Sequence, residues 1–312
     1  MGPEASGPEA SGRESVGEWG KIGRVSSPQI TRQTTPHSGS PLPITTDRGT
    51  FAAIDARPDG DAVGTVLLVP GYTGSKEDFA PLLDPLTSRG YRVVAIDQRG
   101  QYQSPGTADA ESYSVHELGA DVDSIARSIG SPVHLVGHSF GGLVARAAVL
   151  GDTSAFCTLT LMSSGPSELP HGPRRSMIES AEPHLHEFGL ARIYDAGQQA
   201  LAQDPNWQAP QEPLRSFLRD RFVGTSAHAL EYMGRAMLNE PDRVAELKAA
   251  GLPMLVLYGR HDNAWSPEAQ SEMALRLGAR EVIIDGCMHS PPSENPLDTA
   301  AALTAFWTDY RA

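Results

Sequence analysis

The sequence predicts an α/β protein whose mostly parallel sheet is covered by helices on both faces. Short apolar segments recur along the chain, and segments with an amphipathic helical pattern separate them. The apolar segments are continuous rather than alternating, as is typical of parallel strands buried on both faces. Together these two observations favour a layered α/β domain with one large sheet.

The predicted elements follow one another in regular alternation. The strands, in chain order, are TFAAIDA, TVLLVPG, YRVVAID, PVHLVG, CTLTLMSS, PMLVLYG and REVIIDG. The stretch SKEDFAPLLDPLTSRG predicts a helix that begins with a capping box, Ser75 with Asp78, and ends at Gly90. A second helix is predicted from apolar residues on one helical stripe: Val115, Leu118, Val122, Ile125 and Ile129.

Two regions interrupt this alternation and define the expected domain organisation. Residues 1–43 are rich in Gly, Ser, Pro and charge, and begin with the repeat GPEASGPEASG, so we expect a disordered N-terminal tail. Residues 166–245 show no convincing strand but several helical stripes. We therefore expect one core, residues 44–165 and 246–312, that carries a helical lid inserted at 166–245.

The charge, the apolar content and the cysteine count of the chain exclude some classes of binding partner and some cellular locations. A net charge of −13 and a pI near 5.2 argue against nucleic acid or an anionic membrane surface as partner. No apolar run is long enough to cross a bilayer, and no apolar segment typical of a secretory signal follows Met1, so we expect a cytoplasmic protein. The two cysteines are too few for a disulfide framework. Nothing in the sequence indicates the oligomeric state.

The segment VHLVGHSFGGLVARA places a serine where a buried strand becomes a helix. Its GHSFG, residues 137–141, satisfies G-x-S-x-G in the strand–turn–helix context that makes the pattern specific. A turn this tight strains the backbone of Ser139, and side chains at Gly137 and Gly141 would clash across it. The strain lifts the serine hydroxyl above the edge of the sheet, where it is available as a nucleophile.

The chain from about Thr50 onward resembles the α/β-hydrolase superfamily. The resemblance is carried, in chain order, by LLVPGYTGSKEDF, VVAIDQRGQYQSPG, LVGHSFGG, LVLYGRHDNAWSP and GCMHSPPSENP. It implies an eight-stranded sheet and a nucleophile, acid and histidine in that order. It also implies that Ser139 is the nucleophile; serine at this position argues against dehalogenase or epoxide hydrolase chemistry, for which the superfamily uses aspartate.

A serine nucleophile needs a base and a carboxylate that orients it. Among ten histidines, His289 follows the last strand in a loop at the same sheet edge as Ser139, and the resemblance implies that it is the base. Asp262, just past PMLVLYG, matches the acid of the superfamily. Asp285 is a rival close in sequence to His289, and some relatives place the acid after the earlier strand, where only Glu168 is available.

An oxyanion hole requires two backbone N–H donors aimed at the developing negative charge. Phe140, at the start of the helix after the serine, is expected to supply one of them. Tyr72, in the loop after TVLLVPG, is expected to supply the other. Relatives usually carry His-Gly at this point, whereas this chain carries Pro70 and Gly71. A loop-fixing hydrogen bond is therefore expected to be missing.

These residues predict a serine hydrolase that acts on a small to medium carboxylic ester through an acyl-enzyme. Tyr72, Trp265 and Met288 are candidates to line the substrate pocket, although ordinary packing would explain them equally. No cofactor or metal is implied, because neither phosphate-binding loops nor His/Cys/carboxylate spacings typical of metal sites occur. The expected partner is a small molecule with a reactive carbonyl. Acyltransferase, thioesterase, lactonase, amidase or C–C hydrolase activity would use the same groups, and a non-catalytic receptor is the alternative outside enzymes.

Overall fold

The computed structural model describes Gly2, residues 33–205 and residues 207–310. Most of the predicted tail lies outside these residues. Its expected end at residue 43 is wrong, because Ser40–Thr46 forms a strand that pairs along its whole length with the next one. The sequence hides this strand because it lies at the edge of the sheet, where polar residues and prolines are tolerated.

One eight-stranded sheet organises the described chain, as the fold class predicts. Its strands are β1 (Ser40–Thr46), β2 (Gly49–Ala56), β3 (Gly64–Val69), β4 (Tyr91–Ile96), β5 (Val133–His138), β6 (Phe156–Met162), β7 (Met254–Gly259) and β8 (Arg280–Ile284). Their spatial order is β1-β2-β4-β3-β5-β6-β7-β8. Strand β2 runs antiparallel to both of its neighbours, β1 and β4, and the other pairs are parallel, so β3 to β8 all present their carboxyl ends at one edge.

At least one helix follows each strand from β3 to β8 along the chain. In chain order the helices are α1 (Ala80–Thr87), α2 (Val115–Ile129), α3 (Phe140–Gly151), α4 (Pro173–Ala181), α5 (Leu190–Leu201), α6 (Leu214–Gly224), α7 (Ala227–Leu238), α8 (Val244–Ala249), α9 (Pro267–Leu277), α10 (Pro291–Glu294) and α11 (Pro296–Thr308). Local signals fix their ends. Ser114 caps α2 by accepting from the N–H of Glu117, and Gly130 ends that helix in the left-handed conformation.

Burial on both faces explains the continuously apolar strands. In β3, Leu67 and Val69 pack in one cluster with residues of α2 and α3. The alternate residues Val66 and Leu68 pack in a second cluster with residues of α1 and α11. Because successive strand side chains point to opposite faces, both sets must be apolar.

Helices replace strands between β6 and β7. Within the described part of this segment, α4 to α8 occur and no strand does, in line with the helical character predicted for residues 166–245. We call α4 to α7 the cap; that it acts as a lid remains a prediction. Among the described helices, none combines the length and the apolar character needed to cross a bilayer.

Candidate active site

Three residues from distant parts of the chain meet at the carboxyl edge of the sheet. Ser139 follows β5, Asp262 follows β7, and His289 follows β8. Nε2 of His289 lies 3.0 Å from Oγ of Ser139. Nδ1 of the same ring lies 2.9 Å from Oδ1 of Asp262. Parallel topology brings these loops together, and the predicted trio forms one continuous hydrogen-bonded chain.

The turn around Ser139 has the predicted strain. Its backbone lies at φ 56° and ψ −123°, a conformation that non-glycine residues rarely adopt. A Cβ on Gly137 would lie 2.2 Å from the carbonyl oxygen of Gly141, and a Cβ on Gly141 would lie 2.4 Å from that of Val69. Both positions therefore require glycine, and α3 begins at the next residue after the serine.

Asp262 is held as an ionised acceptor. Its Oδ1 also accepts from the N–H of Ala264 at 2.9 Å, and its Oδ2 accepts from the side-chain amide of Gln270 at 3.0 Å. Burial alone would raise the pKa of Asp262, but His289 and these donors together keep it below its ordinary value. Every contact of this carboxylate favours the negative charge that orients the imidazole.

The two rival carboxylates lie elsewhere. Asp285 is exposed and pairs with Arg260. Glu168 pairs with Arg175, at the beginning of the cap. Of the three candidates named from sequence, only Asp262 reaches His289.

His289 is buried and neutral at pH 7. Burial lowers its pKa from 6.5 to about 4, and this effect outweighs the opposing attraction of Asp262. A neutral imidazole whose Nδ1–H donates to Asp262 leaves Nε2 free to accept the proton of the serine hydroxyl. The resting arrangement is therefore competent for general-base chemistry.

His138 supports the histidine loop, a role that sequence reasoning missed. Its Nε2–H donates to the backbone carbonyl oxygen of His289 over 2.8 Å. No feature of the sequence around His138 indicates that its ring reaches a loop 151 positions further on.

Two glutamines hold the expected oxyanion loop. The side-chain amide of Gln98 donates to the carbonyl oxygen of Pro70 at 2.8 Å, and that of Gln101 donates to the carbonyl oxygens of Gly71 and Tyr72 at 2.7 and 3.1 Å. These bonds take the place of the loop-fixing bond that we expected to be missing. Both glutamines lie in the segment DQRGQYQS, and the repetition of glutamine there is the signal for this role that the sequence contains.

The backbone donors of the expected oxyanion hole are available. Within the described part of the chain, no backbone hydrogen bond uses the N–H of Tyr72 or that of Phe140. The side chain of Tyr72 turns toward the cap, where its hydroxyl donates to the carbonyl oxygen of Leu230 in α7. Tyr72 therefore links the loop after β3 to the cap.

The other two pocket candidates differ from each other. Met288 is half-buried beside His289. Trp265 is only 2% exposed and belongs to the hydrophobic core, and its indole N–H donates to the carbonyl oxygen of Glu168 at 3.1 Å. Packing between the loop after β6 and the start of α9 accounts for Trp265.

One group of side chains in the cap has the composition of a metal site. The ligand atoms of His186, His228 and Glu231 lie within 4.8 Å of one another. The sequence did not reveal it, because His186 is far along the chain from the other two. Glu231 already accepts a hydrogen bond from His186 and forms an ion pair with Arg235. These contacts account for His186 and Glu231, whereas the buried Nδ1 of His228 has no hydrogen-bond partner among the described residues.

Comparison with known proteins identifies the family of the chain. Residues 66–303 match the family model of the alpha/beta hydrolase family. The chain therefore belongs to that family and is an enzyme of it.

The individual relatives share only a modest fraction of identical residues with this chain. A putative carbamate hydrolase, RutD, from Variovorax paradoxus is 37% identical over 117 residues, 37% of this chain and 42% of that protein. The match thus spans less than half of that relative. A non-heme haloperoxidase from Rhodococcus erythropolis is 25% identical over 258 residues, 76% of this chain and 89% of the relative. An esterase structure from Exiguobacterium antarcticum shares the fold, with a TM-score of 0.71, 18% identity, and coverage of 86% of this chain and 100% of its own.

Proposed function

We propose that the protein is a serine hydrolase that cleaves a carboxylic ester of small to medium size through an acyl-enzyme. The observation that carries this proposal is the continuous chain of hydrogen bonds from Ser139 through His289 to Asp262. Such an arrangement converts a weakly nucleophilic hydroxyl into a competent one at neutral pH.

In the first half-reaction, Oγ of Ser139 attacks the ester carbonyl carbon while Nε2 of His289 takes the hydroxyl proton. Asp262 holds the imidazole and stabilises its positive charge. The N–H groups of Tyr72 and Phe140 donate to the carbonyl oxygen as it becomes negative. When the tetrahedral intermediate collapses, the bond to the alcohol breaks, and His289 returns the proton to the departing oxygen.

In the second half-reaction, water takes the place of the alcohol. His289 removes a proton from the water as its oxygen attacks the acyl-enzyme carbonyl. Collapse of the second intermediate then breaks the bond to Oγ, and His289 protonates Ser139. The products are a carboxylic acid and an alcohol, and the enzyme returns to its starting state.

A fluorophosphonate probe tests the nucleophile directly. We expect covalent labelling of the wild-type protein and none of Ser139→Ala, while Ser176→Ala, an exposed serine of α4, keeps the label. Folded wild-type protein that resists the probe would instead support a non-catalytic receptor.

A substrate panel separates the ester proposal from its alternatives. The relatives and structural neighbours include a putative carbamate hydrolase, esterases and an N-acyl homoserine lactonase. The panel therefore contains p-nitrophenyl esters of increasing chain length, a lactone, an aryl carbamate and an aryl amide. We expect the highest kcat/KM with an ester, and faster turnover of the lactone or carbamate would reassign the substrate class.

A further inference from the structure

Arg174 brings a positive charge from the cap to the acid side of the candidate site. It lies in the first turn of α4, and its guanidinium donates two hydrogen bonds to Oδ1 of Asn263, from Nη2 at 2.7 Å and from Nε at 3.2 Å. Asn263 directly follows Asp262. The guanidinium is therefore anchored to the loop that carries the acid.

The same face of α4 continues toward the oxyanion loop. Ile178 lies one turn after Arg174, so the two side chains share a face of the helix. A Cβ placed on Gly234 of α7 would lie 2.9 Å from the hydroxyl of Tyr72 and 3.2 Å from Cγ2 of Ile178, so these two groups are neighbours. The face of α4 thus spans the site from Asn263 to Tyr72, with a cation at one end and an apolar side chain at the other.

The charges of Asp262 and Glu294 act on Arg174 and oppose the larger effect of burial, which lowers the pKa of its guanidinium, but neither carboxylate pairs with it directly. Among the described residues no carboxylate forms an ion pair with it, and both of its hydrogen bonds go to a single neutral amide oxygen. Its neighbour Arg175 differs, because it pairs with Glu168 and Glu179. A half-buried guanidinium with unused donors is suited to bind a carboxylate through two parallel hydrogen bonds.

The electrostatics of the site agree with this position. Burial is the main reason that the pKa of His289 is lowered, and the charge of Arg174 lowers it further. Arg174 acts in the same direction on His138, again after burial. A charge that both histidines sense is close enough to act on a substrate bound between them and the cap.

We propose that Arg174 binds a carboxylate of the substrate, so that the natural substrate is an ester that carries a second, anionic group. This inference rests on the proposed hydrolase function and specifies its substrate class. The apolar side chain of Ile178 would then contact the aliphatic part of the same molecule.

The test compares two esters that differ in one terminal group. Mono-p-nitrophenyl glutarate carries a carboxylate where p-nitrophenyl valerate carries a methyl group, and both release the same chromophore. The ratio of their kcat/KM values measures the preference for the anion. We expect the wild-type protein to favour the glutarate, and Arg174→Gln to lower the ratio about 10- to 100-fold, as for loss of a charge-assisted hydrogen-bond pair.

Three further variants separate recognition of charge from a structural role. Arg174→Lys keeps the charge without the planar fork and should retain part of the preference. Arg175→Gln changes a neighbouring cation that is already paired and should leave the ratio unchanged. Asn263→Ala removes the anchor but not the guanidinium, so the preference should survive in large part.

The inference would be overturned by a wild-type enzyme that does not favour the glutarate. It would also be overturned if Arg174→Gln slowed both esters equally, or if Asn263→Ala reproduced its effect, since either result shows a purely structural contact. Failure of the hydrolase proposal is distinguishable, because neither ester would then be cleaved and the fluorophosphonate probe would not label Ser139.

Discussion

The ring of His138 is bonded to the backbone of the histidine that faces Ser139: its Nε2–H donates to the carbonyl oxygen of His289 over 2.8 Å. The two rings lie 5.1 Å apart between their centroids. The residue that precedes the proposed nucleophile therefore fixes the loop that carries the proposed base. Since the bond is made through the main chain of His289, it constrains where the imidazole lies without changing which atoms react.

Replacement of His138 should slow the reaction without weakening substrate binding. His138→Phe keeps an aromatic ring but removes the donor, and loss of one hydrogen bond of about 1 kcal/mol corresponds to a roughly five- to tenfold lower kcat. KM should change little, and His138→Gln, which restores an N–H donor, should recover part of the rate. Steady-state kinetics on a p-nitrophenyl ester measure this split. A change confined to KM would show that His138 contacts substrate instead.

The oxyanion loop should depend on Gln101. Gln101→Leu removes the donor to the carbonyl oxygens of Gly71 and Tyr72 while keeping a side chain of similar size. Loss of an oxyanion donor costs about 10²- to 10³-fold in kcat, and we expect a smaller loss, about tenfold, because the donor is displaced rather than deleted.

Gln103 provides the matched control for this variant. Its side chain is exposed in the same loop, so Gln103→Leu should keep the wild-type kcat. Equal rates for wild type and Gln101→Leu would show that the loop holds its shape without the glutamine.

The pH dependence should show a base that titrates well below the ordinary range. His289 must be neutral to accept the proton of Ser139, so activity is present above its pKa and is lost as the pH falls through it. Since burial lowers that pKa from 6.5 to about 4, kcat/KM for a neutral ester should be flat through neutral pH and fall only in the acid range. Initial rates between about pH 4 and pH 8 test this, with circular dichroism to exclude unfolding. An acid limb centred at 6.5 or higher would contradict it.

The core of the fold was predictable because burial leaves a strong pattern. Strands covered on both faces, such as β3 and β5, are apolar over most of their length, and each was predicted. The edge strand β1 was missed because it is mostly exposed and therefore lacks this pattern. It has the sequence SPLPITT and buries only Ile44, so its composition resembles that of the preceding tail.

The sequence predicted the residues proposed to react, but it did not predict the residues that surround and position them. Ser139, Asp262 and His289 follow strands whose carboxyl ends must meet, so topology alone brings them together. Gln101 and Arg174 instead depend on how a loop and a cap helix pack over that edge. Such packing depends on long-range contacts, which no local pattern of residue types specifies.

The buried ion pair between Lys76 and Asp97 leads to a prediction about the stability of the fold. Lys76 is one of three lysines in the chain and is only 3% exposed, and its Nζ lies 2.8 Å from Oδ2 of fully buried Asp97. Removal of one partner from a buried pair leaves an uncompensated charge and costs about 3–5 kcal/mol. Lys76→Met should therefore lower the free energy of unfolding by about that amount at pH 7.

The pH dependence of the stability lost in Lys76→Met shows whether the unpaired carboxylate of Asp97 causes that loss. Burial raises the pKa of Asp97 to about 6, even though Lys76 opposes the shift, and the variant should raise it further. A carboxyl whose pKa is higher in the folded state than in the unfolded state favours folding when protonated, and that contribution is lost as the pH rises. The deficit of Lys76→Met should thus shrink on moving from about pH 8 to pH 5, because Asp97 takes up a proton. Urea unfolding at both values measures the change, and exposed Lys248→Met should match the wild type at each. A deficit independent of pH would mean that lost packing around the lysine chain, rather than the stranded carboxylate, destabilises the variant.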